Sequence, residues 1–385
     1  MTRLLDISRL LRRAGTPLTG IDRVEFAYLR ALSARPEPFF AIARTRLGYA
    51  LLDKEGAAKF AQHISDNALG PLDLIGHLSP RADIAVRQAE ATLRRLSIAR
   101  AIPQRLGRMM RKHLPERLHY INTGHANFTP RMITALREQG AHIAVLIHDV
   151  IPLEAPHWQR PESASKFAGF IDRVSAAAHL IIYNSEDTRS RAQHHLPQTI
   201  PDVVAHLGVE LAPGAPIAAH LRPKAPYFVV LGTIEPRKNH AFLLDLWQAW
   251  GPHAPQLILA GTRGWKNEEV FARLDNGIAQ VREMPGLSDG EITTLLRGSH
   301  GLLFPSHLEG FGLPPLEAAT LGCPVICQPL PVLRELLGDI PIYACGSDEL
   351  VWRQHIEHLA EQRQTPTIFV PPSWAEHLNT VLRLI

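Results

Sequence analysis

Cysteine is scarce in this chain. Three residues among 385, at positions 323, 327 and 345, are too few and too clustered for a disulfide framework. Cys323 and Cys327 lie four apart with no second ligand pair nearby, so structural zinc is not expected; they read as reduced, buried thiols. No apolar run reaches the roughly 20 residues that span a bilayer. The opening MTRLLDISRLLRRAG has neither an apolar core of signal-peptide length nor a small-residue cleavage site, so a cytoplasmic chain is expected. No repeat of about 20–50 residues is visible, which excludes a solenoid. With 45% hydrophobic and 20% charged residues, the composition suits a packed core rather than disorder.

Charge is present but uneven. The net value is only +4, yet Arg94, Arg95, Arg100, Arg105, Arg108, Arg111, Lys112 and Arg117 face the single acid Glu116 between positions 94 and 117. Leu96, Ile98, Leu106, Met109, Met110 and Leu114 are interleaved. This pattern predicts a basic amphipathic stretch that lies on an anionic membrane surface or grips acidic groups. A solvated helix face is the alternative. Nucleic acid is not expected as a partner, because no recognition motif accompanies the charge.

Short apolar runs alternate with helical patterns, which predicts parallel sheets covered on both faces. Strands are expected near 2–8, 38–44, 119–122, 143–148, 180–184 and 202–206, then near 227–233, 256–260, 280–284, 301–304 and 324–327. Between the two groups, ELAPGAPIAAHLRPKAP has the composition of an extended linker and sets a boundary near 210. The expected division is 1–209 and 210–371, two Rossmann-like domains. An amphipathic helix within 372–385 runs back onto the first, its apolar side carrying Trp374, Leu378, Val381 and Leu382.

The strongest chemical signal is GLLFPSHLEGFGLPPLEAATLGCPVIC, residues 301–327. A buried strand ends at Pro305, a glycine-bearing loop follows, and Pro314 and Pro315 suit the first turn of a helix. Glu309 and Glu317 then sit at the carboxyl edge of a parallel sheet, where open α/β folds bind ligands. Gly310 and Gly312 allow close backbone approach and offer N–H donors. Carboxylates there suit ligand hydroxyls better than phosphate. The second signal is YFVVLGTIEPRKNH, residues 227–240, a strand ending in Gly232 and Thr233 with Arg237 and Lys238 before the next helix. Two adjacent cations in that place can clamp a diphosphate. Together the motifs point to a sugar nucleotide.

These segments resemble the retaining GT-B enzymes of the "glycosyl transferases group 1" family. PSHLEGFGLPPLEA carries its E-x₇-E pattern, and GTIEPRKNH is similar to the diphosphate loop of bacterial surface-polysaccharide mannosyltransferases. The likeness is specific over about 227–327. It implies that Arg237 and Lys238 hold the diphosphate. Glu309 and the backbone of Phe311, Gly312 and Leu313 would hold the donor sugar, and Glu317 the ribose. Met284, Gly286 and Leu287 would flank the nucleobase. It implies a GDP- or UDP-linked donor, a glycan or lipid-linked acceptor, and no metal or other cofactor. The absence of any D-x-D triad agrees with that last point.

In the first half, IAVLIHDVIPLEAP ends a strand with His148 and Asp149. His148 is a candidate to bond a hydroxyl, shield a developing cation or act as base, with a purely structural histidine as the alternative. Gly20 and Arg23 of GTPLTGIDRVEF, Asn122 and His125 of YINTGHANF, and Ser185 of YNSEDTRSR are candidate acceptor or cleft residues; helix capping also accounts for Ser185. The stretch 53–117 has no counterpart in the family pattern and is expected to carry acceptor specificity. Competing readings are a sugar-nucleotide epimerase on the same fold and a non-catalytic sugar-nucleotide-binding subunit of a polysaccharide assembly complex. A peripheral place on the inner face of the cytoplasmic membrane would rest on 94–117 alone.

Overall fold

The computed structural model describes residues 1–78, 83–362 and 368–385. Two sheets organise the chain. The first contains β1 (Arg3–Asp6), β2 (Phe39–Arg44), β3 (Tyr49–Asp53), β4 (Ala99–Ala101), β5 (His119–Asn122), β6 (His142–Ile147), β7 (Leu180–Tyr183) and β8 (Asp202–Val204), in the order β4-β3-β2-β1-β5-β6-β7-β8. The second contains β9 (Tyr227–Leu231), β10 (Gln256–Ala260), β11 (Val281–Glu283), β12 (Gly301–Phe304), β13 (Val325–Cys327) and β14 (Ile342–Tyr343), in the order β11-β10-β9-β12-β13-β14.

The apolar runs form strands because both of their faces find a core. Along β6, Ile143, Val145 and Ile147 enter one cluster while Ala144 and Leu146 enter another. In the second sheet, Phe228 and Val230 point to one side and Val229 and Leu231 to the other. This two-residue alternation buries every side chain of such a strand, at about 1.5–3 kcal/mol for a large aliphatic one. One cluster holds residues of both sheets, from Leu5 and Tyr28 to Phe304 and Leu333, so the halves pack against each other.

All pairings in the second sheet are parallel. The first sheet corrects the parallel expectation, since β3 runs antiparallel to β2 and β4 antiparallel to β3. A tight turn closes the β2–β3 hairpin, with Thr45 and Gly48 exchanging backbone hydrogen bonds. The three strands not foreseen, β3, β4 and β14, are short runs of five, three and two residues.

The basic stretch 94–117 comprises the end of helix Ile84–Leu96, strand β4, a short 3₁₀ turn and helix Leu106–His113. Arg94 is buried and bonded to Asp73 and Glu90. Leu106, Met109, Met110 and Leu114 sink into the first domain's core. Tertiary burial takes up these four apolar side chains and leaves Ile98 and Ile102 exposed. Among the described residues no helix is long and apolar enough to cross a membrane.

Residues 205–226 contain no strand and link the two sheets. They are tied to the second by Thr293 and Thr294, whose hydroxyls donate to the carbonyls of Ala212 and Ala215. The last helix, Trp374–Leu382, starts with a Ser373–Glu376 capping box and lies on the first domain. There His377 Nε2 lies 2.7 Å from the Tyr28 hydroxyl and its Nδ1 3.0 Å from the Ala205 carbonyl oxygen. Arg3 donates to the carbonyls of Leu382 and Ile385.

Candidate active site

In each sheet the strand order reverses once beside a central strand, next to β1 in the first and next to β9 in the second. Loops diverge at such a switch point and leave a crevice at the carboxyl edge. The two crevices face each other across a cavity of about 720 Å³ lined by both domains.

On the second side, β9 leads into the short turn Pro236–Lys238, which ends at Asn239 in the left-handed region (φ 56°). Asparagine tolerates that conformation, and the turn places two consecutive cations at the switch point. β12 supplies the opposing loop. Glu309 Oε1 accepts from Lys238 Nζ at 2.6 Å and from Arg237 Nη1 at 2.8 Å. Arg237 also donates to Glu235 and to the Leu308 carbonyl, both at 2.6 Å, and the Lys238 ammonium sits 4.5 Å from the centre of the Phe304 ring.

Burial alone would push the Glu309 carboxyl up, but the charges of Arg237 and Lys238 outweigh it and hold the group down at about 2. Burial also works against Arg237, yet Glu309 and Glu235 raise it. Lys238 moves down, because burial exceeds the help it receives from Glu309. The three groups form a closely spaced, charged cluster.

The loop continues into helix Leu313–Thr320. Gly312 has φ 92°, which favours glycine. At Gly310 a Cβ would lie 2.4 Å from the His148 carbonyl oxygen, so only glycine lets this loop touch the first domain so closely. The first domain grips it: Thr188 Oγ1 donates to the Gly310 carbonyl and Arg191 to that of Glu309, both at 2.9 Å. A second bridge crosses the cleft at Arg23, which donates to Glu317 at 2.6 Å and to Asp289 at 2.5 Å. Glu317 is raised by burial, with Arg23 opposing.

On the first domain's wall, His148 is buried and Nε2 lies 2.6 Å from the Thr123 carbonyl oxygen. With Nε2–H donating there, Nδ1 is left as the ring's acceptor. Burial, then neighbouring His125, keeps the ring well below the usual histidine range. Asp149 is pushed up by burial, against the pull of Arg237.

Residues 217–347 match the family described as "Glycosyl transferases group 1". That segment contains β9 to β14 and every second-domain residue of the cavity. The match to group 1 glycosyltransferases thus falls on the second domain.

Individual proteins are similar to the chain as well. The chain is 28% identical over 251 residues to the serotype-specific mannosyltransferase WbdA of Escherichia coli, covering 57% of this chain and 30% of that protein. It is 33% identical over 135 residues to the O-antigen chain mannosyltransferase B of Escherichia coli, covering 34% and 35%. The chain thus spans about a third of the length of these relatives. In three dimensions it is similar to Anabaena Alr3699/HepE, crystallised in complex with UDP-glucose, with a TM-score of 0.64 and 14% identity over 99% of this chain and 95% of that one. The architecture is the GT-B fold.

Within the matched segment, Gly232, Thr233, Arg237, Lys238, Met284, Gly286, Leu287, Glu309, Phe311, Gly312, Leu313 and Glu317 all line the cavity. From the first domain Gly20, Arg23, His148 and Asp149 do so too. Three candidates do not. Asn122 is fully buried, its amide donating to the Tyr120 hydroxyl and the Ala126 carbonyl. His125 lies behind the wall, 2.8 Å from the Leu146 carbonyl oxygen and tilted against Phe170. Ser185 is buried and caps helix Glu186–Ala192, accepting from Thr188 N at 3.0 Å. A polar side chain at a strand end faces either the cleft or the layer beneath it, and spacing does not distinguish the two.

Sequence reasoning missed Glu235, Thr188, Arg191, Asp289, Arg9 and Arg13. The E-P-R-K order held a signal for Glu235, because an acid two residues before an arginine can fold back on it. Arg191 lay within YNSEDTRSR without any local mark of its interdomain bond.

Proposed function

We propose that the chain is a retaining glycosyltransferase that moves a hexose, mannose as first choice, from a GDP- or UDP-linked donor to a glycan or lipid-linked saccharide in polysaccharide biosynthesis. The carrying observation is the junction of Arg237, Lys238 and Glu309 at the second switch point, facing His148 and Asp149 across the cavity. The names of the mannosyltransferase relatives, and the UDP-glucose in the Anabaena structure, support the donor class.

Glu309 is the anion for both cations. The donor diphosphate takes over that role, and the freed carboxylate turns to sugar hydroxyls together with the backbone of Phe311, Gly312 and Leu313. Charge developing on the leaving phosphate is met by Arg237 and Lys238 without a metal, an effect worth on the order of 3 kcal/mol per donor. Glu317 holds the ribose, and Met284, Gly286 and Leu287 flank the base. A neutral His148 accepts a hydrogen bond from a sugar or acceptor hydroxyl. The acceptor attacks from the face that the leaving group vacates and passes its proton to the departing phosphate. The enzyme works on the cytoplasmic side, and exposed Arg100, Arg105 and Arg108 beside exposed Ile98 and Ile102 support a peripheral contact with anionic membrane.

A thermal-shift screen of nucleoside diphosphates and sugar nucleotides tests this reading. A ligand at about 100 times its Kd adds about 2.7 kcal/mol of stability. The shift should vanish in Arg237→Ala/Lys238→Ala; a full shift in that variant would move the diphosphate elsewhere.

A further inference from the structure

We propose that Arg9 and Arg13 form a subsite for an oxyanion carried by the acceptor, a phosphate or a sugar carboxylate. This deepens the transferase reading and rests on it for the word acceptor. Both arginines lie in helix Ser8–Arg12 and its C-terminal cap, directly after β1, at the carboxyl edge where the first sheet reverses its order. Both line the same cavity as Arg237 and Lys238, from the opposite wall.

Charge matching singles out this pair. Arg237 and Lys238 are met by Glu309 and Glu235, and Arg23 by Glu317 and Asp289. Arg9 and Arg13 share one carboxylate, the fully buried Asp22. It engages each through Nε, at 2.6 Å from Arg9 and 3.4 Å from Arg13, and takes no part of their terminal nitrogens. Oδ2 of Asp22 also accepts from the backbone N–H and hydroxyl of Thr19, which fixes the carboxylate and so the two forks.

Like charges four residues apart on a helix repel, and among the described residues Asp22 is the carboxylate hydrogen-bonded to them. The nearby Glu25 is buried and accepts from Leu10 N, and burial raises its carboxyl well above the usual range. The pair therefore presents an excess positive charge, with side chains 28% and 40% exposed and their terminal N–H groups available. Two guanidinium forks of this kind match an oxyanion with several acceptor oxygens. A neutral hydroxyl leaves the second charge unanswered.

The test titrates inorganic phosphate and, separately, glucuronate into the full chain, with and without saturating guanosine or uridine diphosphate. Wild type should bind at least one of the two anions with the nucleotide in place. Arg9→Gln/Arg13→Gln should weaken that binding about tenfold or more, with nucleotide affinity kept within about twofold. Arg13→Gln alone leaves the Arg9–Asp22 bond intact, protects the fold, and should weaken it about threefold. Preference for phosphate assigns a phosphorylated acceptor, and preference for glucuronate an acidic sugar. Equal anion binding in wild type and both variants, or none in wild type, overturns the subsite. Loss of nucleotide affinity in the variants places the arginines on the donor and overturns it as well. Should neither nucleotide bind wild type, the transferase reading fails, while the difference between wild type and variants without nucleotide still reads the arginine pair.

Discussion

The two carboxyl edges that face each other are built on different electrostatic plans. The second domain's edge is charged: Arg237, Lys238 and Glu309 stay ionised by answering one another. The first domain's edge sets Arg9, Arg13 and their shared Asp22 over a layer where burial pushes His125 and His148 down and Glu25 up. Charges that exchange partners in place can receive a charged ligand without rebuilding the site. Neutral imidazole rings suit hydroxyls and a rigid wall, and the arginine pair above them suits an anion. The contrast fits a donor on one side and an acceptor on the other.

Removing the anion of the charged edge is the most severe way to break the contrast. Glu309→Gln leaves two buried cations without their carboxylate, so we expect a loss of about 3–5 kcal/mol in chemical denaturation. Transfer should fall about 100-fold or more. Unchanged stability would show that the cations reach solvent when the acid is gone.

Acid sharpens the comparison next. His125 and His377 in the first domain are pushed by burial from the usual 6.5 to about 4. Folded values below unfolded ones mean stability that is complete above about pH 6.5 and declines as pH falls to about 4, by roughly 3 kcal/mol per ring. Glu309 is also depressed, from 4.5 to about 2, so its contribution is complete above about pH 4.5 and is lost only as pH falls towards 2. His240, at about 4, adds one ring of the first kind to the second domain. Hydrogen exchange followed by segment should therefore show the first domain loosening at higher pH than the loop around Glu309. Simultaneous loosening would contradict the two plans.

Gly310→Ala comes third. Its Cβ would meet the His148 carbonyl oxygen at 2.4 Å, and relief of that overlap should cost about 1–3 kcal/mol in thermal melts. Arg23→Gln should cost the least. It removes a part-exposed bridge worth about 1 kcal/mol or less, yet small-angle scattering of the ligand-free chain should show a larger radius of gyration as the domains part.

Legibility in the sequence followed the length of the signal. Residues 227–231 and 142–147 are long aliphatic runs whose two faces are both buried, so pattern and structure agree. β3 and β4 depend on a partner strand for their identity, and pattern did not reveal them. The donor-side candidates came from three short contiguous segments, and all three open onto the cavity. Asn122, His125 and Ser185 came from the same kind of position in the first domain and face inward instead, where carbonyls and a helix end claim their polar atoms.

By itself the sequence determined the alternation of strands and helices, the division by a proline-rich linker, and the presence of two cations and two acids at strand ends. Those features depend on residues close together in the chain. Only the tertiary structure decided which charges meet, that Arg23 and Arg191 cross to the other domain, and that Arg9 and Arg13 share one carboxylate. These pairings join residues up to 294 positions apart, and which side chain faces another is set by how the sheets pack.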